Sequence, residues 1–136
     1  MSKIRRINPE GLADPSHYGY AQVTVVPPDT TLVYVAGQLG EDIHGHFSAE
    51  FAAQVKQAFH NLHTALSAAG ATPDQVVKIT VLSVDHTTEK QQIISAERNA
   101  MWPGEHKPAS TLIPVPRLAV EEALFEVDAI ASIPNS

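Results

Sequence analysis

The chain has 136 residues, 43% of them hydrophobic and 18% charged, with a formal net charge of −6 and no cysteine. That is the size and composition of one globular domain built on a single core, and its acidity argues against a protein whose main task is to hold a phosphate backbone. The missing cysteine excludes disulfides, thiol nucleophiles and thiolate metal sites. No apolar run approaches the roughly 20 residues of a membrane helix, and the N-terminal stretch MSKIRRINPEGLADPS lacks the apolar core of a secretory signal. The expected location is therefore cytoplasmic. The one basic cluster, Lys3, Arg5 and Arg6, sits where chains are usually mobile.

In chain order, residues 7–20 (INPEGLADPSHYGY) are rich in Pro, Gly, Asp and Ser without a period and read as an ordered loop or arm. Residues 20–26 alternate as a strand, and Pro27-Pro28-Asp29-Thr30 supplies a turn, because proline fixes φ and cannot donate to a ladder. Residues 32–36 return as the partner strand of a hairpin that ends at Gly37-Gln38-Leu39-Gly40. Glycines directly after a strand either turn the chain or let another backbone or a ligand come close. Spacing leaves both readings open.

From Phe51, apolar residues recur at Val55, Ala58, Phe59, Leu62, Ala65, Leu66 and Ala69. This is a helical stripe, with Ser48 as the expected N-cap and Gly70 as the expected C-cap. Residues 76–84 (VVKITVLSV) predict a strand with Val77, Ile79 and Val81 on one face. On the other face Lys78 and Thr80 give way to Leu82 and Val84, so the strand is apolar on both sides for part of its length. Such strands are covered twice, and in so short a chain a second subunit is a candidate cover. A second helix is expected from Thr88, which has capping-box spacing to Gln91. It runs through Ile93, Ile94, Glu97 and Met101 to a stop at Pro103-Gly104.

Two strands follow, over 111–115 and 124–133, joined by a connector marked by Pro114, Pro116 and Arg117. In the last strand Phe125, Val127, Ala129, Ala131 and Ile133 share one face, while Glu126 and Asp128 lie on the other, roughly 7 Å apart. The order hairpin, helix, strand, helix, two strands predicts an α+β fold in which both helices cover one face of a sheet.

Seven histidines raise the question of a metal. His44 and His46 flank a loop glycine, and His60 and His63 fall off the apolar stripe of the first helix. There is no HExxH and no third ligand at a telling distance, so these read as solvated surface histidines. No G-x-S-x-G elbow, phosphate loop or dinucleotide fingerprint occurs, and Ser83, Ser95 and Ser110 stand in no special context. What remains is the pair Glu126 and Asp128, which is either a site or two solvated carboxylates of a half-buried strand.

Three blocks, VYVAGQLG, QVKQAFHNLHTALSAAGATPDQVVKITVLSVD and KPASTLIPVPRLAVEEALFEVDAIA, together resemble the RidA/YjgF family of reactive-intermediate deaminases over nearly the whole chain. The resemblance implies a chorismate-mutase-like α+β fold, a mixed sheet backed by two helices. It also implies a homotrimer with a central barrel and small-molecule sites in the clefts between subunits. Deaminating members hydrolyse enamines and imines without metal or cofactor. Their substrate carboxylate is held by an arginine after a Pro-Ala pair; here Ser110 follows Pro108-Ala109. A hydroxyl cannot reproduce the bidentate, charge-assisted clamp of a guanidinium. The family serine before the glycine turn is Ala36, its cysteine is Leu112, and a helical asparagine aligns with Ser95. The family's cleft tyrosine is retained as Tyr20, its turn glycine as Gly37, and the carboxylate that positions the attacking water as Glu126. Asp128 returns to the solvated reading, and Arg117 is read as an ion-pair partner of the acidic strands.

The expected function is hydrolysis of small imines or enamines that lack the usual carboxylate, with Glu126 as general base or water-orienting group. The alternative is a non-catalytic binder of a small metabolite in the same cleft. The endoribonuclease or translation-inhibitor activity attached to the family's name is disfavoured by the acidic charge and the lack of a basic stripe. Lys107, His106 and Arg98 are the candidates to replace the missing arginine, a choice that spacing does not decide.

Overall fold

The structure is a computed structural model that describes residues 3–135. Its elements in chain order are β1 (Arg5–Ile7), β2 (Val23–Val25), β3 (Thr30–Leu39), α1 (Phe51–Ala68), β4 (Val76–Val84), α2 (Thr88–Met101), β5 (Ala109–Val115) and β6 (Phe125–Pro134). A four-stranded sheet has the order β3-β6-β4-β5. β6 runs antiparallel to both β3 and β4, whereas β4 and β5 are parallel, so the sheet is mixed and α2 is the crossover that parallel strands require.

The 3.6-residue stripe of α1 explains where the core lies. Val55, Phe59, Leu62 and Leu66 pack on Ile79 and Val81 of β4 and on Phe125, Val127, Ala129 and Ala131 of β6, with Ile94 from α2 and Trp102 closing one end. The Phe59 ring sits 5.8 Å from Phe125 and 6.2 Å from Trp102 between centroids, the second contact edge-on. Both helices thus cover one sheet face, as the α+β reading expects. Among the described residues the opposite face carries no second layer: Leu32, Tyr34 and Ile113 are exposed there, Tyr34 at 71%.

The predicted hairpin is not formed. Val23–Val25 pairs with Arg5–Ile7 in a separate two-stranded sheet, and Thr30–Leu39 pairs with β6 instead. Between them the two prolines and Asp29, at φ 61°, redirect the chain rather than fold it back on itself. Of the basic cluster, Arg6 is tied down. Arg6 donates to three backbone carbonyls, from Nε to Lys107 at 2.9 Å and from one terminal nitrogen to Asp74 at 2.6 Å and Val76 at 3.3 Å. This ties the arm to the start of β4.

Helix ends differ from expectation by a residue or two. Glu50 is the N-cap of α1 without a side-chain bond, while Ser48 Oγ accepts from the Glu50 N–H. Ala69 is its C-cap, and Gly70, at φ 78°, follows one position later. Thr87 rather than Thr88 caps α2, its side chain accepting from the Lys90 N–H, because the cap must still be extended when the next residue turns helical. Pro114 belongs to β5 and not to the connector. β5 is an edge strand, where a missing N–H is tolerated.

Candidate functional site

Register decides which of the expected residues can meet. In the β4/β5 ladder Ser110 pairs with Ile79 and Leu112 with Val81. Those partners are core residues, so Ser110 and Leu112 face the helices. In the β4/β6 ladder Glu126 pairs with Leu82 and Asp128 with Thr80, which puts both carboxylates on the opposite face. The seven expected positions therefore separate into two groups, one on each side of the sheet.

The first group gathers round Arg98, which is 3% exposed. From α2 its Nε donates to the Tyr18 carbonyl at 3.0 Å, and its two terminal nitrogens reach Ser110 Oγ at 3.2 Å and Ser95 Oγ at 3.3 Å. The Tyr20 ring centroid lies 5.2 Å from the guanidinium carbon, a cation–π distance. Gly19 makes the close approach possible: at φ 90°, a Cβ there would stand 2.6 Å from Arg98 Cβ. Tyr20, Gln91, Arg98, Ser110 and Leu112 line a small cavity of about 110 Å³.

Among the described residues the ion pairs are Lys56 with Glu97 and His46 with Asp42, so Arg98 has no carboxylate partner. Burial pulls its pKa below the ordinary arginine value, with Tyr20 acting the other way, yet a guanidinium stays charged at physiological pH. A buried cation bonded only to neutral oxygens is an unfinished arrangement, and an anion in the cavity would complete it. The other two candidates are held elsewhere. Lys107 Nζ bonds the Trp102 carbonyl and Asn99 Oδ1 at the end of α2, and the exposed His106 lies beside Arg6.

The second group is Ala36, Gly37 and Glu126. The β3/β6 register shifts between Val35 and Gln38, leaving Ala36 and Gly37 in a bulge. A Cβ on Gly37 would lie 2.6 Å from both Cδ and Oε2 of Glu126. Close approach to a side chain, not a left-handed backbone, is thus what this glycine permits. Glu126 accepts no hydrogen bond among the described residues. Burial first, and the Asp128 charge second, raise its pKa above the ordinary carboxylate value. Asp128 is engaged structurally, accepting the Thr80 N–H at 2.9 Å. Arg117 is not the expected ion-pair partner, since it donates to the Leu118 and Ala119 carbonyls of its own connector.

Sequence reasoning missed the context of Ser95 and Ser110, and with it Gln91 and the placement of Arg98. The available signal was the i, i+3 spacing of Ser95 and Arg98 beside the core residue Ile94. Among the described residues no group of three or more His, Asp or Glu is placed to hold a metal ion, and no helix is long and apolar enough to cross a membrane.

Comparison with known proteins agrees with this architecture. The RutC family protein YjgH of Escherichia coli is 34% identical over 104 residues, covering 76% of this chain and 77% of that protein. The structure of YyfB from Yersinia pestis, a conserved Rid family protein of unknown function, superposes with a TM-score of 0.90 at 30% identity, covering 96% of this chain and 98% of its own. A structure of YjgH gives a TM-score of 0.71 at 28% identity over 99% of this chain and all of that one. The profile of the endoribonuclease L-PSP family matches residues 13–133, and the chain belongs to that family, which it shares with the Rid and YjgH proteins.

Proposed function

We propose that the protein is a cofactor-independent hydrolase of small imines or enamines, with each site completed between copies of the chain in a homotrimer. The observation that carries this reading is Arg98, a buried guanidinium without a carboxylate partner at the wall of a cavity beside Ser110. It supplies from the helix the cation that Ser110 does not supply from the strand. The favoured substrate therefore carries an anionic group, where the bare sequence pointed to one without. Glu126 lies on the opposite sheet face from Arg98, which supports a site shared between two chains. The uncovered apolar residues of that face support an assembly that buries them.

Chemically, Arg98 anchors the anion while Glu126 takes a proton from water as the water oxygen bonds to the imine carbon. The imine nitrogen gains a proton from solvent, and a carbinolamine forms. Glu126 returns its proton to nitrogen, the hydroxyl proton passes to solvent as the C–N bond breaks, and a carbonyl compound and ammonia leave. An enamine first gains a proton on carbon and then takes the same course. Water and imine thus balance against carbonyl and ammonia with no oxidant. The net charge of −6 weighs against RNA as substrate, and a chain without cysteine suits a reducing cytoplasm.

The test is ammonia release from a freshly generated 2-imino acid and from an uncharged imine. Wild type should accelerate the anionic substrate. Arg98→Met should lower kcat/KM for it by about a hundredfold, the loss of a charge-assisted anchor. Glu126→Gln should lower kcat by about 10²-fold or more. Acceleration of neither substrate overturns the reading, and ligand-dependent stabilisation without turnover would point to the non-catalytic binder.

A further inference from the structure

We infer that the Arg98 cleft takes an anion bearing a planar, uncharged body, in chemical class an aryl carboxylate, whose ring lies in a second groove along α2. The inference rests on Arg98 as anion anchor and adds the shape of the body attached to that anion. At about 110 Å³ the first cavity is smaller than the roughly 150 Å³ that encloses a benzene, so it takes a carboxylate and its neighbouring carbons but not an attached ring. Anything larger must extend beyond it, and Gln91, which lines this cavity, also lines a groove of about 460 Å³.

Two adjacent helical rows make the floor of this groove: Thr88, Gln92 and Ala96 on one, Gln91, Ser95 and Asn99 on the other. The wall is the His17–Tyr18 pair, whose rings are tilted with centroids 4.0 Å apart. That wall is fixed to the helix, because Arg98 donates to the Tyr18 carbonyl and Asn99 Nδ2 to the His17 carbonyl at 2.9 Å. These bonds hold the backbone of the wall, and both rings stand exposed to a ligand. Among the described residues no Asp, Glu, Lys or Arg lines the groove, and its one imidazole is His17 of the aromatic wall. With a cation at one end and none along the body, the complementary ligand is negative at one end and neutral beyond it. Ala96 leaves room where a larger side chain would fill the floor, and the Gln91 and Gln92 amides offer edge-on hydrogen bonds to a planar group.

Titration of the full chain by NMR with acetate, phenylacetate and benzyl alcohol tests this. Phenylacetate should bind about tenfold or more tighter than acetate, from the apolar area its ring buries, and tighter than benzyl alcohol, which lacks the charge. Ala96→Phe, on the exposed side of α2, should bring the phenylacetate-to-acetate ratio toward one. Arg98→Met should weaken both acids, with the amide spectrum away from the cleft unchanged. Equal affinity for the two acids, both weakened by Arg98→Met, removes the groove and leaves the anchor standing. Phenylacetate binding that survives Arg98→Met removes the anchor, and no binding of either acid removes the anchor and the groove together.

Discussion

Glu126 shows how a residue's surroundings set its chemistry. The same partial burial and Asp128 charge that raise its pKa keep a proton on it to higher pH than on a free glutamate. As a general base it must be ionised, so the acidic limb of the pH–rate profile should lie above the ordinary glutamate value and move down in Asp128→Asn. The stability sign comes from the same shift. Between the unfolded pKa and the raised folded pKa the native state binds more protons than the unfolded one, so stability falls as pH rises through that window. Glu126→Gln should therefore gain on wild type in urea midpoint between pH 4 and pH 7, by less than about 1 kcal/mol because solvent still screens the group. An equal midpoint difference at both pH values would show that the folded pKa is not raised.

Helices and strands were legible because their periods are local. The α1 stripe, the run over 76–84 and the alternating β6 face all reflect which residues avoid water. Pairing was not legible: Val23–Val25 and Thr30–Leu39 each look like strands, and only the tertiary arrangement gives one to β1 and the other to β6. The reach of Arg98 was hidden for the same reason, since a long side chain's target lies on an element that sequence does not place beside it. Gln54 is another such case. It is 1% exposed and joins α1 to two loops, donating to the Ser48 and Glu122 carbonyls at 2.8 and 2.9 Å and accepting the Leu124 N–H at 2.8 Å. Gly40 lies so close that a Cβ there would meet the Gln54 backbone at 2.6 Å. These bonds hold the chain two residues before Glu126. Gln54→Leu keeps the volume but removes three part-buried hydrogen bonds to the backbone, and should cost about 2–4 kcal/mol in urea unfolding. A loss below about 1 kcal/mol would mean that water replaces the amide there.

At the scale of the whole molecule, the division of the site between two sheet faces makes a prediction that no single variant can. If each site takes Arg98 from one chain and Glu126 from the next, a chain carrying Arg98→Met still contributes a sound Glu126, and one carrying Glu126→Gln a sound Arg98. Each variant alone should be nearly inactive. Unfolded together in equal amounts and refolded, they should form mixed trimers in which about one site in four joins two intact halves. Ammonia release should then recover to about a quarter of the wild-type value per chain, while the two variants mixed after separate refolding should stay inactive until subunits exchange. If both halves of a site come from the same chain, co-refolding restores nothing, because every chain carries one broken half. The uncovered face with Leu32, Tyr34 and Ile113 gives the same experiment a second reading: Tyr34→Glu should leave the chain folded but monomeric, and a monomer that keeps full turnover would contradict the shared site.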